Sequence, residues 1–126
     1  MLILDTSIII ELERENKFFI SQIEELKKQY KDLPKISFVT YFEILEGIEN
    51  KSGKNKAKAK EFIELFEVIQ TTKITAEKLV YLRKEYELPV PDLLIAAQTL
   101  EHNGFLVTKD KDFSQIKEIN KIILYG

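Results

Sequence analysis

Apolar residues along this chain occur in two patterns, short unbroken runs and stripes at helical spacing, and their alternation predicts the fold. Leu2 to Leu4 form a continuous apolar run of the kind expected of a strand buried on both faces. Asp5, Thr6 and Ser7 follow, and Ile8 to Ile10 resume in a helix-like segment. Phe18, Phe19, Ile20, Ile23, Leu26 and Tyr30 recur roughly once per helical turn, with Glu24, Glu25, Lys27 and Lys28 between them, which predicts an amphipathic helix. After the break at Asp32–Pro34, Ile36 to Val39 predict a second strand. Thr40 is then expected to cap a helix from Tyr41 to about Asn50, striped by Tyr41, Ile44, Leu45 and Ile48. A lysine-rich turn precedes a helix expected to bury Phe62, Ile63, Leu65 and Phe66, and a third strand is expected around Val68 and Ile69. Thr75 reads as the cap of a helix to about Tyr86, with Ala76, Leu79, Val80 and Leu82 inward.

The stretch from Pro89 to Phe113 carries the most information. Pro91 suits a helix start, where its missing N–H costs nothing, and Asp92 opens the helix that runs through the apolar segment Leu93–Leu100. Asn103 and Gly104, both tolerant of a left-handed cap, end it, and Phe105 to Val107 predict a buried strand. Thr108, Lys109, Asp110, Lys111 and Asp112 follow at the carboxyl end of that strand, where open α/β sheets form their sites. Ile116 and Ile119 suggest a helical turn, and Ile122 to Tyr125 a last strand. Strands alternating with helices predict one three-layer α/β domain over residues 1–126, with a mainly parallel central sheet of about four to five strands.

Composition narrows the chemistry. The 126 residues, 44% hydrophobic, are enough for a substantial core. The absence of cysteine excludes disulfides and thiolate metal sites. The longest apolar run, Leu93 to Ala97, cannot span a membrane, and the N-terminus lacks the pattern of a secretory signal, so a soluble cytoplasmic protein is expected. A net charge of −2 from 19 basic and 21 acidic residues does not select a partner. The single histidine, His102, sits in a helix-ending EHNG and reads as structural or exposed, so a Ser-His-Asp arrangement is not supported. The four glycines are scattered, leaving no glycine-rich phosphate loop.

What remains is oxygen chemistry. Asp5, Glu43, Asp92 and Asp110 come from four separate segments, and three of them stand at strand ends or a helix start. If the fold gathers them, their mutual repulsion calls for protons or cations, and carboxylate oxygens with retained water suit Mg²⁺ or Mn²⁺. Such an ion supports phosphodiester hydrolysis without a histidine. Taken singly, each acid also has a structural reading. Asp5 can cap the following turn, Asp92 can face the positive end of its helix, Asp110 and Asp112 are common turn residues, and periodicity alone makes Glu43 a solvated acid.

The opening LILDTS, the acid in FEILEG with a glycine four residues on, and the long motif PDLLIAAQTLEHNGFLVTKDKDF together resemble a PIN domain of the VapC toxin type. The resemblance spans nearly the whole chain and is weakest over 14–35 and 50–88. It implies a sheet with helices on both sides, a metal-dependent endoribonuclease site using Mg²⁺ or Mn²⁺, a homodimer, and a VapB-type antitoxin partner. Carried over by motif, Asp5 and Asp92 would be the leading metal ligands and Glu43 and Asp110 would complete the acidic cluster, Asp110 also as a ligand. Asp112 would be an auxiliary acid, with Thr6, Ser7 and Thr108 as supporting hydroxyls. Many relatives have asparagine at the position of Asp110. Lys51, Lys54, Lys56, Lys58 and Lys60 could meet an RNA backbone, or simply form a solvated helix face. Phe18, Phe19, Tyr41 and Phe42 could line a partner groove or a dimer contact, though core packing is the default for most. The competing reading is a non-catalytic scaffold of the same fold whose acids dock a basic peptide.

Overall fold

The computed structural model describes residues 1–125. In chain order the elements are β1 (Leu2–Leu4), α1 (Thr6–Glu13), α2 (Lys17–Tyr30), β2 (Lys35–Ser37), α3 (Phe38–Ile48), α4 (Gly53–Ile63), β3 (Glu67–Ile69), α5 (Lys73–Glu85), α6 (Val90–Glu101), β4 (Phe105–Thr108) and β5 (Asn120–Ile123), with a 3₁₀ turn at Lys111–Gln115. The strands form one sheet in the order β3-β2-β1-β4-β5, and every pairing is parallel. The expected three-layer architecture is therefore present.

Alternate strand residues feed two cores. Leu2, Leu4 and Val107 pack with Ile8 and Ile9 of α1, Phe19 and Ile23 of α2, Ile44 and Ile48 of α3 and Ile63 of α4. Ile3 and Leu106 face the other way, against Leu82 of α5, the Leu93–Ala97 segment of α6, and Phe113 and Ile116. With both faces covered, the central strands need apolar residues at every position, which is why they read as unbroken runs. Burying a side chain such as Ile3, 0% exposed, contributes on the order of 2–3 kcal/mol.

Several element boundaries differ from the sequence expectation. β2 stops at Ser37, whose partner is Ile69 at the end of β3, and the chain turns directly into α3. The Ser37 hydroxyl accepts the Thr40 N–H at 3.2 Å, so Ser37 is the cap and Thr40 lies inside the helix. At α5 the cap is Thr72, because Thr75 occupies the third helical position and returns a bond to the Thr72 N–H, a reciprocal box that hides which threonine leads. The true inward stripe of α5 runs Thr75, Leu79 and Leu82, continued by Tyr86 just past its end, leaving Ala76 and Val80 on the solvent side. Leu65 lies past the end of α4 and is 79% exposed, while Ile63 is buried and Phe62 and Phe66 are half-buried. Of the aromatics considered for a groove or a contact, Phe19 is core, Tyr41 is half-buried, and Phe18 and Phe42 are exposed. The predicted helical turn falls earlier, at Lys111–Gln115, and the last strand is shifted back to Asn120–Ile123.

Candidate active site

In this strand order the chain runs outward from β1 through β2 to β3, then crosses to the other side of β1 for β4 and β5. Such a reversal opens a crevice beyond the carboxyl ends of the two strands that flank it. Asp5 directly follows β1 and Asp110 is the second residue after β4, so both acids stand at the reversal.

Asp5 is 3% exposed and held on both oxygens. Its Oδ1 accepts from the Ser7 hydroxyl at 2.6 Å and the Ile8 N–H at 3.2 Å, and its Oδ2 accepts from the Thr108 hydroxyl at 2.6 Å. Burial pushes the Asp5 carboxyl above its ordinary range, those hydrogen bonds pull it back, and Asp110 adds repulsion. The carboxylate thus caps α1, as its structural reading requires, and also faces another acid. Thr108 in turn accepts the Asp110 N–H at 2.9 Å, and Asp110 accepts the Asp112 N–H at 2.9 Å as cap of the 3₁₀ turn.

Glu43 sits one turn into α3 and accepts from the Thr6 hydroxyl at 2.7 Å, which itself lies 3.1 Å from the Thr40 hydroxyl. This bond explains why an acid that periodicity assigns to solvent is only half-exposed. Asp92 is the third residue of α6, after Pro89 at the cap and Pro91 inside the first turn. Its carboxyl is pushed up to about 6, first by burial, then by repulsion from Asp110, Glu43, Asp5 and Asp112. The fold therefore brings all five acids into one electrostatic neighbourhood. Of the three expected hydroxyls, Ser7 and Thr108 bind Asp5 and Thr6 binds Glu43.

The donor set suits a hard dication: it offers oxygen ligands only, it carries excess negative charge, and it has no thiolate or imidazole. Among the described residues, no three of these groups stand close enough to grip one ion directly. That is compatible with Mg²⁺ or Mn²⁺, which keep several waters and need only one or two carboxylates.

The lysines divide. Lys51 pairs with Glu13 at 3.7 Å and Lys56 with Glu49 at 3.6 Å, whereas Lys54, Lys58 and Lys60 are exposed on α4. His102 ends α6, with its side chain 3.9 Å from Glu101, about 15 Å along the helix from Asp92. Three residues that periodicity does not single out help to build the site. Thr40 is wholly buried beside Thr6, and Glu11 binds Lys109. Gln98, 0% exposed, accepts the Phe38 N–H and donates to the Ile69 carbonyl, tying α6 to the ends of β2 and β3. A glutamine within the buried LLIAAQTL segment is the one of these that sequence could have flagged, since a buried amide needs partners.

The parallel topology, the reversal between β1 and β4, and the acids that follow those two strands define an open α/β class with an acidic crevice, without the glycine-rich phosphate turn after β1 that a nucleotide-binding fold uses. The PIN domain family profile matches residues 2–119, and the chain belongs to the PIN domain family. A comparison with curated protein sequences finds no match. Among solved structures, the chain is similar to VapBC2 from Rickettsia felis, solved bound to a DNA fragment from its promoter, with a TM-score of 0.86 and 22% identity over 98% of each chain. It is also similar to a toxin–antitoxin complex from Klebsiella pneumoniae, with a TM-score of 0.81 and 24% identity over 100% of this chain and 99% of that one. FitAcB from Neisseria gonorrhoeae matches with a TM-score of 0.80 and 20% identity over 97% of this chain and 96% of that one. At these identities the likeness establishes the fold. No helix among the described residues is long and apolar enough to cross a membrane.

Proposed function

We propose that this chain is a metal-dependent endoribonuclease, the toxin of a VapBC-type toxin–antitoxin pair. The observation that carries the reading is the gathering of acids at the sheet reversal, where Asp5 is buried and held by Thr108, Glu43 is held by Thr6, and the Asp92 carboxyl is raised to about 6 by burial and by four other acids from three other segments. A cluster that repels itself this strongly favours a divalent cation. Asp5, Asp92 and Asp110 would hold Mg²⁺ or Mn²⁺ between them, one or two directly and the rest through the waters such an ion retains, with Glu43 completing the charge and Asp112 beside it. When bound, the ion would lower the pKa of a water and stabilise charge on a phosphoryl oxygen. The protein's own part is positioning. Ser7 and Thr108 fix both oxygens of Asp5, Thr6 fixes Glu43, and Pro89 and Pro91 set the start of the helix that presents Asp92. Without a cation, Asp92 keeps a proton below a pH of about 6. RNA would be drawn in by Lys54, Lys58 and Lys60 through its phosphates, without selection of sequence.

A groove of about 900 Å³ supports the partner assignment. Ile10, Ile20, Ile44 and Phe62 line it, and it reaches Thr6 and Glu43 at the edge of the acids. An amphipathic segment of a VapB-type antitoxin fits such a surface, and the structural relatives are themselves solved as toxin–antitoxin complexes. The same groove is what favours the second reading, a non-catalytic domain that docks a basic peptide. Homodimerisation and a cytoplasmic location belong to the toxin reading.

RNA cleavage in Mg²⁺ or Mn²⁺ decides between the two. Asp5→Asn and Asp92→Asn are expected to abolish cleavage while the far-ultraviolet circular dichroism stays native. Cleavage by the wild type that persists undiminished in EDTA would refute the metal mechanism, and no cleavage under any condition would favour the scaffold.

A further inference from the structure

Lys109 stands between Thr108, which binds Asp5, and Asp110, yet its side chain turns away from the acids. Its ammonium donates to Glu11 of α1 at 3.0 Å and lies 5.5 Å from the centroid of the Phe19 ring of α2. Glu11 is 8% exposed, and among the described residues its one other cation is the exposed Arg14, at 3.8 Å. The Lys109 N–H meanwhile donates to the Ser7 hydroxyl at 3.3 Å, the same hydroxyl that donates to Asp5. The loop is therefore tied to α1 twice, once by its backbone and once by its side chain.

We propose that Lys109 and Glu11 are positioning residues: their ion pair clamps the loop between β4 and the 3₁₀ turn onto α1 and so keeps Asp110 beside Asp5 and Asp92. The clamp is needed because the acids repel one another. Asp110 heads the repulsive neighbours of Asp92 and also repels Asp5, and beside this ion pair the loop that carries it is held against that repulsion by short-range bonds within residues 108–112 and by the 3.3 Å bond from the Lys109 N–H to Ser7. A cation placed among the acids would weaken their hold on a metal. A cation placed on the far side of the loop anchors it without that effect. Glu11 is nearly buried although Lys109 is exposed, so the attraction is screened somewhat less than that of a pair exposed at both ends.

The effect on catalysis rests on the nuclease reading; the clamp itself does not, and the test separates them. Amide hydrogen exchange of Asp110 and Asp112 in the metal-free protein is expected to be faster in Lys109→Gln and Glu11→Gln and close to wild type in Lys109→Arg. In RNA cleavage, Glu11→Gln is expected to lower kcat about tenfold with KM unchanged, less than the roughly hundredfold that a displacement of 1 Å can cost. Combined with Asp110→Asn, it should add little to the loss from Asp110→Asn alone. Exchange that is unchanged in both glutamine variants, or losses that multiply fully in the double variant, would overturn the proposal. A rise in KM for Lys109→Gln with unchanged exchange would do so as well, by making Lys109 a substrate contact. If the wild type cleaves no RNA, the nuclease reading falls and the exchange data alone still decide the clamp.

Discussion

Replacing Asp92 with asparagine is expected to make the metal-free protein more stable while destroying its activity. The Asp92 carboxyl is raised from 3.8 to about 6. A raised carboxyl means that the folded chain binds a proton more tightly than the unfolded one. Its stability is therefore greatest below the unfolded value of 3.8 and declines as pH rises through about 6. A shift of this size corresponds to about 3 kcal/mol at 1.36 kcal/mol per pH unit. Asp92 is half-exposed, so solvent and salt screen much of the repulsion and about 1 kcal/mol is the expected net effect. For a chain of 126 residues this raises Tm by about 4 °C. The assay is a series of thermal melts in EDTA from pH 4 to pH 8. Asp92→Asn should melt above the wild type at pH 8, with the gap closing toward pH 4. Added Mn²⁺ should then stabilise the wild type more than the variant, because only an ion bound to the folded state shifts the melt. A variant that melts at or below the wild type at pH 8, or a gap that ignores pH, would refute the repulsion argument.

Three other outcomes follow from the geometry. Thr108→Val removes the hydroxyl that joins Asp5 to the Asp110 N–H and should cost about 2 kcal/mol in urea denaturation, since it strips a buried carboxylate of a donor; Thr108→Ser should restore most of that. Gly104→Ala should cost about 1–3 kcal/mol, measured the same way, because its Cβ would sit 3.0 Å from Ile3 Cδ1 and 3.1 Å from the Met1 carbonyl oxygen. Changing Lys54, Lys58 and Lys60 together to alanine should weaken RNA binding and flatten its salt dependence by roughly 0.7 in slope per lost phosphate contact, read by fluorescence anisotropy at several salt concentrations.

Much of the framework is legible in sequence because buried parallel strands leave unbroken apolar runs, and the residue after such a run stands at the mouth of the sheet. Asp5 and Asp110 can be located that way before any coordinates exist. Glu43 cannot, since its helical position points away from its own apolar stripe and only the packing of α1 against α3 brings the Thr6 hydroxyl to it. The caps of α3 and α5 are misplaced by three residues for a shared reason. Ser37 and Thr40, like Thr72 and Thr75, are capping-type residues one turn apart, and local propensity does not say which leads. Gly104 illustrates a different confusion. Asn103 takes the left-handed turn, with φ of 50°, and the glycine is there because β4 passes so close to Ile3 and Met1. The Lys109–Glu11 pair joins positions far apart in the chain, and nothing in either neighbourhood announces the other.

The bond from Thr108 to Asp5 also orders events during synthesis. β1 lies in the middle of the sheet, and its second neighbour, β4, follows it in the chain so that Thr108 comes 103 residues after Asp5. A growing chain on the ribosome can thus form the β1, β2 and β3 half of the sheet early, yet it leaves Asp5 without its threonine until α5, α6 and β4 have emerged. Until β4 pairs with β1, the Asp5 carboxylate stands unbraced by Thr108 at the open edge of a half-built sheet, and the acid cluster cannot close around it.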